Sequence, residues 1–145
     1  MRLADLCARS EQCESDLRRK IRLAGLTTDE ADRIIEALQS GKFLDDARFA
    51  RAYARDKVRF AGWGAAKIRM GLAAKRITGT LATQAIEAID RREYIDALKR
   101  AALAKARSLD LTSREDVQKL YTHLAQRGFE SQLISRITDY LRKDR

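Results

Sequence analysis

The feature that most constrains the fold of this 145-residue chain is a pattern of apolar residues that occurs three times. Apolar residues of the first copy are matched by apolar residues 51 positions later in the second copy. A third copy matches the first at an offset of 103. Repeats of this length indicate one small helical unit copied along the chain, with each copy burying its apolar face against its neighbours. The pattern is Leu17, Ile21, Leu26, Ala31 and Ile35, then Ile68, Leu72, Ile77, Ala82 and Ile86, then Leu120, Leu124, Phe129 and Ile134, with Ile137 in the place of Ile34.

The composition favours helices throughout the chain. Proline is absent, glycine occurs seven times, and charged residues make up 35% of the sequence. Such a chain can continue its helices with few interruptions. We therefore predict an all-α fold of three tandem three-helix repeats, over residues 1–44, 45–92 and 93–145, forming an elongated, curved array. The nine helices are predicted near 3–12, 14–24, 28–40, 46–60, 65–76, 79–90, 93–107, 113–127 and 130–142.

Capping residues set several of these limits. Thr27 with Glu30 and Thr112 with Glu115 have the spacing of a capping box, in which the two side chains satisfy backbone amides at a helix start. Gly25, Gly41 and Gly128 each follow an apolar run, where a left-handed residue commonly ends a helix. Each of the three glycines is therefore predicted to end a helix.

Asp45 and Asp46 are the acidic pair that most resembles a catalytic site. Their position before an amphipathic helix accounts for both residues without a catalytic role, because Asp45 can cap the helix N-terminus and Asp46 can complement the helix dipole. Adjacent carboxylates that divide acid and base roles are the alternative, but no histidine or nucleophile accompanies them. We interpret both as structural caps.

The positive charge is concentrated in the middle of the chain. The formal net charge is +9, and residues 45–92 hold eleven basic against five acidic residues, whereas residues 1–44 hold eight of each. A basic field of this kind favours a polyanionic partner, with a solvated helix face as the alternative. The predicted binding face comprises nine basic residues with only one acid between them, namely Arg48, Arg51, Arg55, Lys57, Arg59, Lys67, Arg69, Lys75 and Arg76.

Four of these arginines, Arg48, Arg51, Arg55 and Arg59, recur every three or four residues and so share one helix face, with Phe49, Ala52 and Tyr53 predicted to face the core. Trp63 and Phe60 lie next to this stripe and are candidates for stacking on an unpaired base, although a tryptophan packed in the core is the alternative. A secondary basic patch comprises Arg18, Arg19, Lys20 and Arg22.

Residues able to bind a metal or carry out catalysis are sparse. Cys7, Cys13 and the single His123 do not have the spacing of a zinc site. No P-loop or glycine-rich nucleotide loop is present, so we expect no metal, no cofactor and no enzymatic activity. Two thiols in a chain without a signal peptide or long apolar span indicate a reduced, cytoplasmic setting without membrane attachment. A monomer is expected.

Three segments follow one another within residues 15–77, namely "SDLRRKIRLAGL", "FLDDARFARAYARDKVR" and "GWGAAKIRMGLAAKRI". Taken in order, they resemble the RecX family of recombinase regulators. The chain departs from the family at Ala65, where many relatives have proline after the glycine, and at Arg76, where a glycine is expected before Ile77.

The resemblance implies a function. RecX proteins bind the RecA nucleoprotein filament and suppress its ATPase, strand-exchange and co-protease activities, and thereby regulate recombination, DNA repair and the SOS response. Carried to this chain, it implies RecA and the phosphates of single- or double-stranded DNA as partners.

Two other functions fit the composition. One is a nucleic-acid-binding module without sequence preference, and the other is a helical-repeat scaffold for an acidic protein. A helix-turn-helix that reads bases is disfavoured, because the third helices of the first two units, "TDEADRIIEALQS" and "TLATQAIEAI", are acidic or nearly neutral.

Overall fold

The computed structural model describes residues 11–143 and is all-helical over that range, with eight α-helices and no strand. The predicted all-α repeat fold is confirmed. The helix predicted near 3–12 falls almost entirely outside the described residues. The elements are α1 (Glu14–Leu23), α2 (Thr28–Ser40), α3 (Asp46–Asp56) with a π-helical turn (Lys57–Ala61), α4 (Ala65–Ala74), α5 (Gly79–Glu87), α6 (Arg91–Ala106), α7 (Arg114–Gln126) and α8 (Ser131–Lys143).

Most residues of the repeated apolar pattern are buried. The first repeat has its own small core, formed by α1, α2 and Leu44. The second and third repeats share one continuous core, to which α3 through α8 all contribute. Leu26 differs from its counterparts, because 37% of its surface is exposed while Ile77 and Phe129 are buried. The repeats therefore share an apolar pattern, but the first repeat packs around a separate core.

Helix α3 buries a different stripe from the one predicted. Ala50, Ala54 and Val58 are completely buried, whereas Phe49 and Tyr53 are only half-buried at the edge of the shared core. The small residues let α3 pack closely on α5, and the larger rings lie along the side of this contact. The arginines on the opposite side of α3 remain at the surface, as their spacing predicts.

The helix caps agree with the sequence in part. Thr27 and Glu30 form the predicted capping box, but the box predicted at Thr112 is wrong. Ser113 caps α7, and the Thr112 side chain hydrogen-bonds to Asp110 because a tight turn precedes the helix. Gly25 and Gly128 have positive φ, as predicted.

The left-handed residue predicted at Gly41 lies one position later. Gly41 has a φ of −81°, and Lys42 adopts the positive φ of 62° instead. The chain therefore turns out of α2 through a lysine rather than through the glycine.

The second and third repeats are joined through the N-terminus of α4. This helix has no side-chain cap of its own. Instead, the backbone amide of Gly64 donates to the Arg127 carbonyl oxygen at 2.7 Å, and the amide of Ala66 donates to the Gly128 carbonyl oxygen at 3.1 Å. The Ala65 amide donates to the Tyr94 hydroxyl at 2.9 Å. The third repeat thus satisfies three amides that a helix start leaves unpaired.

Two glycines permit this close approach. A Cβ on Gly64 would lie 2.4 Å from the Gly128 carbonyl carbon, and a Cβ on Gly128 would lie 2.5 Å from the Lys67 amide nitrogen. Arg127 adds a side-chain link, because its guanidinium donates to the Ala61 carbonyl oxygen at 2.9 Å. Backbone contact and the shared core together hold the second and third repeats as one packed body.

The first and second repeats are joined by polar contacts. The Asp46 side chain accepts from the Glu14 amide at 2.8 Å, so a residue of α3 caps α1. Ser15 Oγ donates to the Lys75 carbonyl oxygen at 2.7 Å, and Lys75 Nζ pairs with Asp16 at the same distance. Burial would raise the pKa of Asp16, but its hydrogen bonds, that from Lys75 the strongest, lower it overall. The pair therefore stays ionised at neutral pH.

Candidate binding surface

The four spaced arginines of α3 and its π turn line one groove. Arg48, Arg51, Arg55 and Arg59 form one side of a cavity of about 420 Å³, and the end of α5 and the start of α6 form the other. We call this the arginine groove. Its opposite wall includes the acids Asp90 and Glu93. The groove presents a row of guanidinium groups about as long as three helical turns.

Ion pairs occupy the two ends of the row. Arg48 Nε lies 2.6 Å from a Glu11 carboxylate oxygen. Arg59 makes two hydrogen bonds to Glu93, at 2.7 and 3.0 Å, and these lower the pKa of that carboxyl. These pairs fix the end arginines in place.

The middle of the row is less neutralised. Arg55 lies a long 3.8 Å from Asp56, and Arg51 has no ion pair with any residue in the described range. Both residues are exposed. The centre of the arginine groove therefore has the least neutralised positive charge of the row.

An aromatic groove adjoins the arginine groove and shares Arg55 with it. This second cavity of about 660 Å³ is lined by Phe49, Tyr53 and Phe60, with Lys57 and Lys75 among its basic residues. Its acids include Asp16 and Asp56. Rings beside ammonium groups are the combination that binds single-stranded nucleic acid.

The two candidate stacking residues have different environments. Phe60 is 83% exposed and projects at the edge of the aromatic groove. Trp63 is half-buried against the core, in edge contact with Tyr53 at 6.4 Å between ring centroids. The Lys57 and Lys67 ammonium groups lie 4.6 and 4.7 Å from the Trp63 centroid. Phe60 is thus the more accessible ring, whereas Trp63 packs against the core, which is the alternative stated for a tryptophan.

The structure brings six of the nine predicted basic residues to these two grooves. The others, Lys67, Arg69 and Arg76, line neither. Arg69 donates to the Thr83 hydroxyl at 3.2 Å, and Lys67 contacts Trp63. The nine basic residues that lie close together in the sequence are therefore divided among several parts of the surface.

The secondary basic patch of the first repeat is partly neutralised. Arg18 pairs with Glu14 at 3.0 Å and with Asp32 at 2.8 Å. Arg19 lies 4.0 Å from Asp16, and Lys20 donates to Gln12 at 3.2 Å. Lys20 and Arg22 make no ion pair within the described residues. Nearby carboxylates thus reduce the positive charge that the sequence predicts for the secondary basic patch.

Asp45 and Asp46 have structural roles. Asp45 is the N-cap of α3 and accepts from the amides of Ala47 and Arg48 at 2.9 and 3.1 Å, which confirms the capping prediction. Asp46 lies in the first turn of α3 and also caps α1. Burial raises the pKa of Asp46. The capping of α1 was not predicted, because the two partners are 32 residues apart.

His123 has a structural environment as well. Its Nε2 accepts a hydrogen bond from Arg127 Nε at 3.2 Å. Burial, followed by the charges of Arg127 and Lys105, lowers its pKa. Within residues 11–143, no group of three or more His, Cys, Asp and Glu side chains could hold a metal ion. No helix in that range is both long and apolar enough to cross a bilayer.

Two family models match adjacent parts of the chain. The model described as the second three-helix domain of RecX matches residues 45–86, and that of the third three-helix domain matches residues 92–138. The "Regulatory protein RecX" of Prosthecochloris aestuarii is 32% identical over 133 residues, covering 90% of this chain and 85% of that protein. The chain belongs to the RecX family.

Other RecX proteins extend the similarity. The "Regulatory protein RecX" of Clostridium tetani is 29% identical over 81% of this chain, which spans 53% of that longer protein. The crystal structure of RecX from Lactobacillus salivarius has a TM-score of 0.82 at 21% identity, covering 94% of this chain and 90% of that one. This match shows the same helical-repeat fold.

The two departures from the RecX pattern fit the geometry. Ala65 has an amide, which proline lacks, and this amide binds the Tyr94 hydroxyl. Arg76 has a positive φ of 61°, in the same left-handed region as Gly25 and Gly128 at the equivalent places. The turn into the third helix is therefore kept, but an arginine adopts a conformation that costs a non-glycine residue about 1–2 kcal/mol.

Proposed function

We propose that this chain binds the RecA nucleoprotein filament and inhibits its ATPase, strand-exchange and co-protease activities. Membership of the RecX family supports the choice of RecA, and the arginine groove supports a polyanionic contact. In this proposal the chain regulates homologous recombination, DNA repair and the SOS response, and acts as a monomer in the cytoplasm. The chain itself needs no catalytic activity for this role.

The arginine groove is the observation that carries the proposal. Arg51 and Arg55 are exposed at its centre, between two end arginines held by Glu11 and Glu93. A guanidinium group donates in a planar fork that matches phosphate and carboxylate. DNA phosphates or acidic side chains of RecA would therefore bind at the centre of the row, where the fewest existing ion pairs must be broken.

The aromatic groove supports a second contact to the same filament. Phe60 is exposed beside Lys57, and Arg55 belongs to both grooves. A strand whose phosphates lie on Arg51 and Arg55 could place a base near Phe60. Stacking on one ring contributes about 1–3 kcal/mol per base. In this proposal Trp63 supports the groove from within.

The joined second and third repeats explain how inhibition could arise. Their shared core and the contacts at α4 make a single packed body behind the arginine groove. A rigid body that spans neighbouring RecA protomers would resist the changes between protomers that accompany ATP hydrolysis. It would also obstruct access of a second duplex or a repressor to the filament groove.

The ATPase rate of RecA on single-stranded DNA tests this proposal. We expect substoichiometric amounts of the chain to slow hydrolysis, and the Arg51→Glu, Arg55→Glu double variant to lose most of this effect. Arg100→Glu, Arg114→Glu is the matched control, because both are exposed arginines outside the two grooves with the same change in charge. An unchanged ATPase rate with the wild-type chain would exclude the proposal.

Binding to naked DNA distinguishes the alternative of a general nucleic-acid-binding module. Such binding would weaken steeply with salt, because each neutralised phosphate releases counterions. If the chain bound naked and RecA-coated strands equally at every salt concentration, RecA would not be its specific partner. Tighter binding to the coated strand supports the filament.

A further inference from the structure

The third repeat carries a separate groove between α6 and α8. Its volume is about 330 Å³, within the range of sites that hold small ligands or side chains. The floor is aliphatic and is formed by Ile95 and Leu98 of α6 with Leu133 and Ile137 of α8. We call this the α6–α8 groove. It shares no lining residue with the arginine or aromatic groove.

The rim of the α6–α8 groove is positively charged. Arg91, Lys99 and Arg136 line it, and no acidic residue of the described range does so. None of the three has an ion pair within residues 11–143. The charge is therefore available to a partner, in contrast to the paired arginines at the ends of the arginine groove.

Helical spacing explains this combination. Arg91, Ile95, Leu98 and Lys99 lie on one face of α6 at intervals of four, three and one residues, so the cations flank the apolar pair. Helix α8 presents Leu133, Arg136 and Ile137 in the same way. Each helix thus places apolar residues on the floor and basic residues beside them.

We infer that the α6–α8 groove binds an acidic peptide segment of a partner protein, with an apolar side chain seated on the aliphatic floor. Charge complementarity identifies the occupant, because carboxylates pair with the three rim cations while a leucine-like anchor covers the floor. Tyr140, which is 61% exposed at the edge, supplies a ring and a hydroxyl to the same segment. This inference does not depend on the arginine groove or on RecA.

The chemistry of the floor favours peptide over nucleic acid. Bases bind by stacking on aromatic faces, whereas this floor is made of branched aliphatic side chains. Aliphatic grooves between two helices are a common site for the anchors of short peptide segments. Phosphates could meet the rim cations, but they would make no favourable contact with the aliphatic side chains of the floor.

Fluorescence anisotropy with the full chain tests the inference. The probe is a fluorescein-labelled acidic decapeptide with two leucines three residues apart, and the control peptide has serine at both leucine positions. We expect saturable binding of the leucine peptide and about tenfold weaker binding of the serine peptide, because the floor then has no anchor. Equal affinity for the two peptides, or no saturable binding of either, would overturn the inference.

Charge-reversed variants localise the binding. Lys99→Glu and Arg136→Glu should each weaken the peptide complex about tenfold, since each replaces an attraction with a repulsion. Arg100→Glu is the matched control, being exposed on α6 outside the groove, and should leave the affinity unchanged. Equal effects of all three variants would show a nonspecific charge effect and contradict the assigned site.

Methyl NMR supplies a readout that needs no mutation. The leucine peptide should shift the methyl signals of Ile95 and Leu133 and leave those of Ile35 in the first repeat unchanged. The same shifts caused by a single-stranded oligonucleotide that competes with the peptide would assign the groove to nucleic acid and refute the inference. If the Ile95 and Leu133 signals shifted with protein concentration alone, the groove would be a dimer contact, and the inference would also be refuted.

Discussion

The Tyr94 hydroxyl accepts a 2.9 Å hydrogen bond from the Ala65 amide and also hydrogen-bonds to Glu130. One side chain of the third repeat thus caps a helix of the second repeat. The ring is buried and packs edge-on against Phe129, with 5.5 Å between centroids. Burial, with the hydrogen bond to Glu130, raises the pKa of Tyr94, so the hydroxyl stays protonated throughout the neutral range.

Removing this hydroxyl should destabilise the chain. Tyr94→Phe keeps the ring but leaves the Ala65 amide unpaired, so we expect a loss of about 1–3 kcal/mol in the free energy of unfolding. Urea denaturation followed by circular dichroism measures it. Tyr140→Phe is the control, because that ring is exposed and should lose less than about 0.5 kcal/mol. Equal losses would show that the Tyr94 cap contributes nothing.

The close approach of Gly64 and Gly128 predicts a steric effect that can be separated from backbone strain. Gly128→Ala places a methyl group 2.5 Å from the Lys67 amide, whereas Gly25→Ala meets nothing within 4 Å at a similar φ. We expect Gly25→Ala to cost about 1 kcal/mol and Gly128→Ala about 3 kcal/mol or more. Thermal unfolding compares the two, and similar losses would contradict the close packing.

His123 predicts a loss of stability in mild acid. Its pKa is lower in the folded chain than in the unfolded chain, so its contribution is present above the ordinary histidine pKa and is lost as the pH falls through the folded value. Protonation also removes the acceptor used by Arg127. His123→Gln keeps an acceptor that does not titrate. We expect the wild-type Tm to fall more than that of the variant between pH 7.5 and pH 5.5, and parallel curves would contradict this role.

Arg76 predicts a stabilising substitution. Its φ of 61° is unfavourable for arginine, and the side chain is exposed without an ion pair in the described part of the chain. Arg76→Gly should raise the free energy of unfolding by about 0.5–1 kcal/mol, because glycine adopts this conformation without a clash. Ala73→Gly, in the last turn of α4, should instead lower it, by at most about 1 kcal/mol. If Arg76→Gly lowered the free energy of unfolding, the arginine side chain would have to stabilise the fold, and the prediction would be contradicted.

The sequence predicts what depends on local spacing. Asp45 precedes an amphipathic run, so its cap follows from neighbours within three residues, and the arginines of the groove share a face because helices have a fixed period. The burial of Ile68 and Leu72 follows from the same period. The helix limits agree with the sequence to within a few residues for the same reason.

Contacts between distant segments could not be predicted. The Glu14–Asp46 and Asp16–Lys75 links join residues 32 and 59 positions apart, and each depends on how one repeat rests on another. The partners of Arg48 and Arg59 likewise come from other elements, and these pairs decide which arginines remain available. The α6–α8 groove was missed because its residues alternate between apolar and basic on two separate helices.

The affinity of the chain for a preformed RecA filament on single-stranded DNA tests the central claim most directly. The measurement compares the wild type with the Arg51→Glu, Arg55→Glu and the Arg100→Glu, Arg114→Glu double variants, after circular dichroism has shown equal helicity. We predict tight binding by the wild type and the control, and binding at least about tenfold weaker for the groove variant. Equal binding by all three, or none by the wild type, would contradict a RecA regulator that acts through the arginine groove.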